Sequence, residues 1–172
     1  FLPGVSKSVT FEKIANDKVF DLAIAVDIAA KDRMGMGVPI FDRAKVRMNI
    51  DHHKTNSGFG DFSLVRPDAC SAGEILFDIF EGIGWAIDKN IADALYTSIL
   101  TDTGGFRFEN TSARTFEIAA KLVECGTHPG EIARYCFETK PKQMVLLLAN
   151  ALMNAEFLEN QKIAYTCITR AD

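Results

Sequence analysis

Three places in this sequence combine acidic and imidazole side chains in a way that could do chemistry: Asp27, the run Asp51-His52-His53, and Asp102. Carboxylate oxygens with one or two imidazoles form a hard donor set, suited to Mn²⁺, Mg²⁺ or Co²⁺ rather than to a thiolate-seeking metal. Two such ions held near each other activate a water and neutralise a phosphate, the chemistry of phosphoester or phosphoanhydride hydrolysis. Each residue also has a plainer reading. An Asp after an apolar run, such as Asp27, is often a turn residue. Asp51-His52-His53 can be a polar strand end with solvated rings. Asp102 follows an apolar helix face and precedes Gly104-Gly105, so it needs a partner to offset desolvation. A metal is one such partner; the N–H groups of the glycine turn are another. Neighbouring side chains on a strand point opposite ways, so His52 and His53 are expected to do different jobs, one on a metal and one facing substrate. Asp51 would hold a ring through its N–H. Arg107, just past the turn, can grip a phosphate bidentately or pair with Glu109. His128 precedes Pro129 and reads as a helix cap.

These residues need elements to position them. Leu22 to Val26 is a continuous apolar run between Asp21 and Asp27, the pattern of a strand covered on both faces in a parallel sheet. Val46 to Ile50 is a second, short run and ends in Asp51. Lys31 to Lys45, between them, reads as a helix or loop crossing. From Ser71 the pattern turns helical. Ser71-x-x-Glu74 is a capping-box signature, and Gly82 and Gly84 stop that helix. Asp88 caps the next, with Ile91, Leu95, Ile99 and Leu100 as its buried stripe. A third helix starts near Thr111 or Ser112 and ends at Cys125-Gly126. His128-Pro129 opens a fourth. Lys140-Pro141 opens a fifth, expected to be the longest and to run through Leu146, Leu147, Ala151 and Phe157. Ile163 to Ile168 reads as a strand. Strands ending in acids and alternating with helices imply an α/β fold with a parallel sheet. Ligands of such sheets bind outside the carboxyl ends of the strands, where Asp27 and Asp51-His52-His53 both fall.

The bulk composition sets limits. The chain has 172 residues, 48% hydrophobic and 24% charged, with a net charge of −4, as expected of a globular protein. No basic run marks a grip on long duplex DNA. The apolar stretch around Met144 to Ala149 is too short to span a bilayer, and no signal peptide opens the chain, so a cytoplasmic protein with no membrane partner is expected. Cys70, Cys125, Cys136 and Cys167 form no zinc pattern and read as free thiols. Phe1-Leu2-Pro3-Gly4 offers no initiating Met and reads as the middle of something.

The strings NIDHHKTNSGFGD (49–61), LYTSILTDTGGFRFENT (95–111) and AVDIAAKDRMG (25–35) together resemble the DHH phosphoesterase superfamily. They are most similar to the bacterial oligoribonuclease/pAp-phosphatase family, and the resemblance runs from about Phe1 to Thr169. It implies a parallel-sheet DHH domain over 1–139, a linker helix over 140–160, and over 161–172 the first strand of a truncated DHH-associated (DHHA1) domain. It also implies a two-metal site, usually Mn²⁺, with Asp27, His52 and Asp102 as ligands. His53 would contact the substrate phosphate, Asp51 would stand behind the histidines, and Arg107 would join the substrate side. Substrates would be short oligoribonucleotides or 3′-phosphoadenosine 5′-phosphate (pAp), and a homodimer is allowed. The T-N-x-x-F-G-D string after His53 favours short RNA. Competing readings are another phosphate substrate (a cyclic dinucleotide, pyrophosphate, polyphosphate or single-stranded DNA) and a catalytically silent nucleotide-binding module. The family's opening H-x-x-P-D-x-D motif is absent. The chain is therefore read as a fragment, inactive alone and without the groups for a full metal pair.

Overall fold

The structure, a computed structural model, describes residues 1–14, 17–158, 160 and 162–169. In the sequence Val9 to Ala15 reads as a short weak segment, and its end, Ala15, lies outside the described residues. The chain divides into two compact units, Phe1–Ala133 and Arg134–Asp172.

In the first unit, β1 (Leu22–Val26), β2 (Val46–Asp51) and β3 (Phe62–Val65) form one parallel sheet in the order β1-β2-β3. The α/β expectation and the first two strands are borne out, each strand ending at its acid. β3 was not legible: it has four residues and follows a Gly-rich loop. The crossing from β1 to β2 contains a 3-10 segment, Lys31–Gly37, and a short helix, α1 (Val38–Arg43). Parallel register sets Val26 beside Ile50, so both strands deliver their next residues to the same sheet edge. The Asp27 N–H extends the ladder by donating to the Ile50 carbonyl at 2.9 Å.

Four helices follow: α2 (Ala72–Gly82), α3 (Lys89–Asp102), α4 (Ala113–Glu124) and α5 (Pro129–Ala133). Their starts follow side-chain chemistry. The oxygens of Ser71, Asp88 and Ser112 each accept from the backbone N–H three residues on. Such caps typically contribute about 1 kcal/mol each. The capping box foreseen at Ser71 is half made. The buried Glu74 carboxylate takes the N–H of Cys70 at 3.2 Å instead of returning to Ser71. α2 packs on α3 and β2, and α4 and α5 pack on α3. Ile75, Ile99, Ile118 and Leu122 are fully buried, each stabilising by about 1.5–3 kcal/mol through removal from water. The α2–α3 approach is close because Gly73 lies against α3. A Cβ there would stand 2.8 Å from the Ser98 side chain and 3.0 Å from the Leu95 carbonyl.

The second unit holds one π-helical turn (Arg134–Glu138), α6 (Lys142–Met153) and a small antiparallel pair, β4 (Glu156–Phe157) and β5 (Ala164–Tyr165). The helix expected to run through Phe157 ends at Met153, where Asn154 turns its amide back to the Asn150 carbonyl at 2.9 Å. With 12 residues it is shorter than α3, which has 14. The strand read over Ile163 to Ile168 shrinks to two residues. No helix of the described residues is long and apolar enough to cross a membrane.

Candidate metal centre

β2 is most deeply buried in its last three residues, Asn49, Ile50 and Asp51, two of them polar. Asp51 has no exposed side-chain surface, so its charge must be met by protein groups. One oxygen takes the Nδ1–H of His53 at 2.7 Å, and the other takes the side-chain amide of Asn56 at 2.6 Å. Burial pushes the Asp51 carboxyl up. The His53, Asn56 and His52 backbone hydrogen bonds outweigh that and hold it below the usual carboxylate range. Because Asp51 accepts at Nδ1, the His53 proton sits there and Nε2 is left with its lone pair when the ring is neutral.

His52 is anchored differently. Its Nδ1 faces the Ala69 carbonyl at 3.3 Å. A carbonyl can only accept, so Nδ1 carries a proton, and in the neutral ring Nε2 offers a lone pair. That nitrogen lies 3.4 Å from an Asp27 oxygen and 3.5 Å from an Asp102 oxygen. The expectation that the two rings point opposite ways is corrected. Their centroids are 4.7 Å apart at 61°, because the strand stops at Asp51 and the chain turns. Their different anchors, a carbonyl and a carboxylate, keep them chemically distinct.

Asp27 reaches this cluster from a left-handed backbone, φ 60°. A non-glycine residue there costs about 1–2 kcal/mol, least for Asn and Asp. Asp102 arrives as the last residue of α3, its side chain 29% exposed. The following turn is built on buried Thr103. The Thr103 hydroxyl accepts from Phe106 N–H at 3.0 Å, and its carbonyl accepts from Arg107 and Phe108. Gly104 and Gly105 have φ 58° and 76°, and a Cβ on Gly104 would meet the Phe108 ring at 2.4 Å. Their N–H groups go to the carbonyls of Thr101 and Leu100, so the glycine turn does not supply the partner once considered for the Asp102 carboxylate. Burial first, and the Asp27 charge second, push the Asp102 carboxyl above its usual range, against the pull of His52 and His53.

Asp27, Asp51, His52 and His53 can each offer one ligand atom with all of these within 4.8 Å of one another, and Asp102 adjoins them through His52. Two open carboxylates, with an imidazole whose lone pair is aimed between them, fit a hard divalent cation. Arg107 lies on the exposed turn after Asp102. Its Nε donates to the Gly104 carbonyl at 2.6 Å, and among the described residues it makes no ion pair, with Glu109 or otherwise. His128 is exposed, its carbonyl accepting from Glu131 and Ile132 at the start of α5, as a capping residue does.

Asn49 and Asn56 were not singled out in the sequence, although both stand in the string around Asp51-His52-His53. Buried Asn49 donates toward the Ala25 and Ile28 carbonyls at 3.4 and 3.3 Å. The F-G-D part of that string holds the fold. Phe59 packs edge-on against Phe41. Gly60 lies against β2, where a Cβ would stand 2.9 Å from the Arg47 carbonyl. Asp61 grips Arg47 at 2.9 and 2.6 Å.

The chain is 32% identical over 134 residues to the bifunctional oligoribonuclease and PAP phosphatase NrnA of Thermus thermophilus, covering 78% of this chain and 40% of that protein. It is 32% identical over 116 residues to NrnA of Bacillus subtilis, covering 66% of this chain and 37% of that protein. The chain thus spans about 40% of the length of the curated relatives it matches. Among solved structures, an exopolyphosphatase-related protein from Bacteroides fragilis superposes with a TM-score of 0.88 at 22% identity, over 99% of this chain and 53% of that one. A putative family II inorganic pyrophosphatase of Methanococcus jannaschii gives 0.50 at 19% identity, over 77% and 43%. No family model matches the chain.

Proposed function

Because this chain is a relative of the NrnA-type proteins of the DHH superfamily, we propose that it carries the nucleolytic half of a metal-dependent phosphoesterase acting on short oligoribonucleotides, on pAp, or on both. The observation that carries the reading is His52 Nε2, 3.4 Å from Asp27 and 3.5 Å from Asp102. In the neutral ring that nitrogen presents a lone pair to two carboxylates, an arrangement a cation among them would satisfy. Asp27, His52 and Asp102 would hold that cation, with Mn²⁺ the first choice, Mg²⁺ or Co²⁺ next, and two ions in the complete enzyme. A bound divalent cation supplies a nucleophilic water at neutral pH and positive charge against the phosphate.

The chain's own residues do the rest. His53 keeps its proton at Nδ1 toward Asp51 and presents Nε2 to the substrate phosphate. Once protonated at Nε2 as well, it donates to the oxygen on which charge grows. Asp51, buried and ionised, stabilises that imidazolium and fixes the ring. Arg107 would join the substrate side; its exposure, and the lack of an ion pair among the described residues, leave its guanidinium open to a phosphate. We read 1–139 as the DHH domain, 140–160 as the linker, and the remainder as the start of a substrate-holding domain.

The test is release of phosphate from pAp and of mononucleotides from short RNA in the presence of Mn²⁺, with pyrophosphate as the comparison substrate. It uses the longest natural form containing this chain. Hydrolysis of pAp or RNA that is abolished by chelation and by Asp102→Asn is expected. Turnover of pyrophosphate alone would move the assignment to another substrate, and no turnover with Mn²⁺, Mg²⁺ or Co²⁺ would end it.

A further inference from the structure

The loop after His53 contains one side chain, Asn56, that bridges Asp51, Asn49 and the backbone just after Asp27. The Asn56 amide nitrogen lies 2.6 Å from Asp51 Oδ2, 2.8 Å from Asn49 Oδ1 and 3.0 Å from the Ile28 carbonyl. Its Oδ1 accepts the Gly58 N–H at 2.7 Å, and its backbone N–H donates to the His53 carbonyl at 3.1 Å. We propose that Asn56 is a positioning residue that clamps the Asp51–His53 pair and the left-handed Asp27 turn to each other.

The Asn56 amide has two N–H groups, which it shares among three acceptors, the shortest contact being to Asp51. Asp51 is fully buried and has two oxygens to satisfy. His53 meets one and Asn56 meets the other, from different sides. With both fixed, the carboxylate plane cannot rotate, and the ring hydrogen-bonded to it is held in one tautomer. At the other end, the Ile28 carbonyl belongs to the residue directly after Asp27, and it is approached by the amides of both Asn56 and Asn49. The left-handed backbone at Asp27 costs energy and persists only where its surroundings determine it. Those two amides are such surroundings. Asn combines, on one short side chain, a donor for these acceptors with an acceptor for Gly58. Asp at this position would set a second carboxylate against buried Asp51, and Ala would leave Asp51 Oδ2 and Asn49 Oδ1 unpaired in the interior. Losing the partner of a buried charged group is the costly direction.

The experiment separates the bridge from the loop. Asn56→Ser keeps a hydroxyl that can serve Gly58 but is too short to reach Asp51, Asn49 and Ile28; Asn56→Ala removes both functions. Histidine ¹⁵N spectra of the metal-free chain at about pH 8, above the usual histidine range, report each ring's tautomer. The wild type is expected to show His53 with its proton on Nδ1. Asn56→Ser should give His53 a mixture of tautomers and shift the Asp27 amide. His52, tied to Ala69 and outside the clamp, should be unchanged and serves as the internal control. Asp51→Asn should release His53 in the same way, and combining it with Asn56→Ser should add nothing further. An unchanged His53 tautomer in Asn56→Ser overturns the assignment. So does equal disturbance of both histidines in Asn56→Ser and Asn56→Ala. A second readout, Mn²⁺ affinity by calorimetry, rests on the proposed metal centre. Loss of groups that orient ligands costs about 10–100-fold in affinity, and that loss is expected for Asn56→Ser. If the wild type binds no Mn²⁺ while Asn56→Ser still frees His53, the metal reading fails and the clamp stands.

Discussion

Replacing Asp102 by Asn should reverse the sign of its effect on stability according to whether metal is present. Without metal, the Asp102 carboxyl is pushed up by burial and by Asp27, with His52 and His53 pulling the other way. A raised folded value means that the folded state holds the proton more tightly than the unfolded chain does, so ionisation costs stability. The cost is absent below the ordinary carboxyl range. It grows as pH rises through the window between the ordinary and raised values, and stays constant above it. Asn has no charge to desolvate, so metal-free Asp102→Asn should melt higher than wild type at neutral pH, and the two should converge in acid. With Mn²⁺ at about one hundred times its dissociation constant, binding only the folded state stabilises by about 2.7 kcal/mol. The first unit runs from Phe1 to Ala133. At about 2.1 cal/mol/K of unfolding entropy per residue, its Tm moves by about 3–4 °C per kcal/mol, so wild type should gain about 10 °C. Asp102→Asn should lose most of that gain, and the two variants' order of stability should invert between chelator and Mn²⁺. Differential scanning fluorimetry in both conditions reads this directly. An undiminished Mn²⁺ shift in Asp102→Asn would show that Asp102 is not a ligand. A lower metal-free Tm would show that the repulsion argument has the wrong sign.

Other outcomes follow from the same contacts. In the longest natural form, His52→Ala should weaken Mn²⁺ binding and regain part of its pAp hydrolysis in excess Mn²⁺. His53→Ala should bind Mn²⁺ normally and stay about 10²–10³-fold slow in kcat, the usual cost of one transition-state contact. Rescue of His53→Ala but not of His52→Ala would swap the two roles. Gly60→Ala drives a Cβ to 2.7 Å from the Phe62 carbonyl and 2.9 Å from that of Arg47. Overpacking of this kind costs about 1–3 kcal/mol, seen as a lower urea midpoint; an unchanged midpoint would mean that the loop shifts freely. Burial first, and Glu74 next, push the Cys70 thiol up to about 12. In a native thiol titration Cys70 should stay silent while exposed Cys167 reacts, and Cys70 should become reactive only on unfolding.

What could be read in advance followed from local chemistry. Ser71, Asp88 and Ser112 announced their helices because a cap needs only a side-chain oxygen and an N–H three residues away. Leu22 to Val26 announced itself as an unbroken apolar run closed by an acid, Val46 to Ile50 as a shorter, mixed run closed by another, and parallel register then brought those acids to one edge. What could not be read depended on where the chain goes next. Strand alternation set His52 and His53 on opposite sides, but alternation holds only while the strand lasts, and β2 ends one residue before them. α6 looked continuous to Phe157 from its apolar spacing, yet it ends at Met153 and none of its residues is buried. The two asparagines were the least visible of all. An amide carries no charge, obeys no period, and is common in loops, so Asn49 and Asn56 look like ordinary polar residues on the page. Their significance is a matter of distance. Asn56 reaches back five residues to Asp51, seven to Asn49 and 28 to the Ile28 carbonyl. Only the fold brings those acceptors within one side chain's reach. A carboxylate and an imidazole therefore mark a site by their type, whereas the groups that hold them still are recognised by the company the fold gives them.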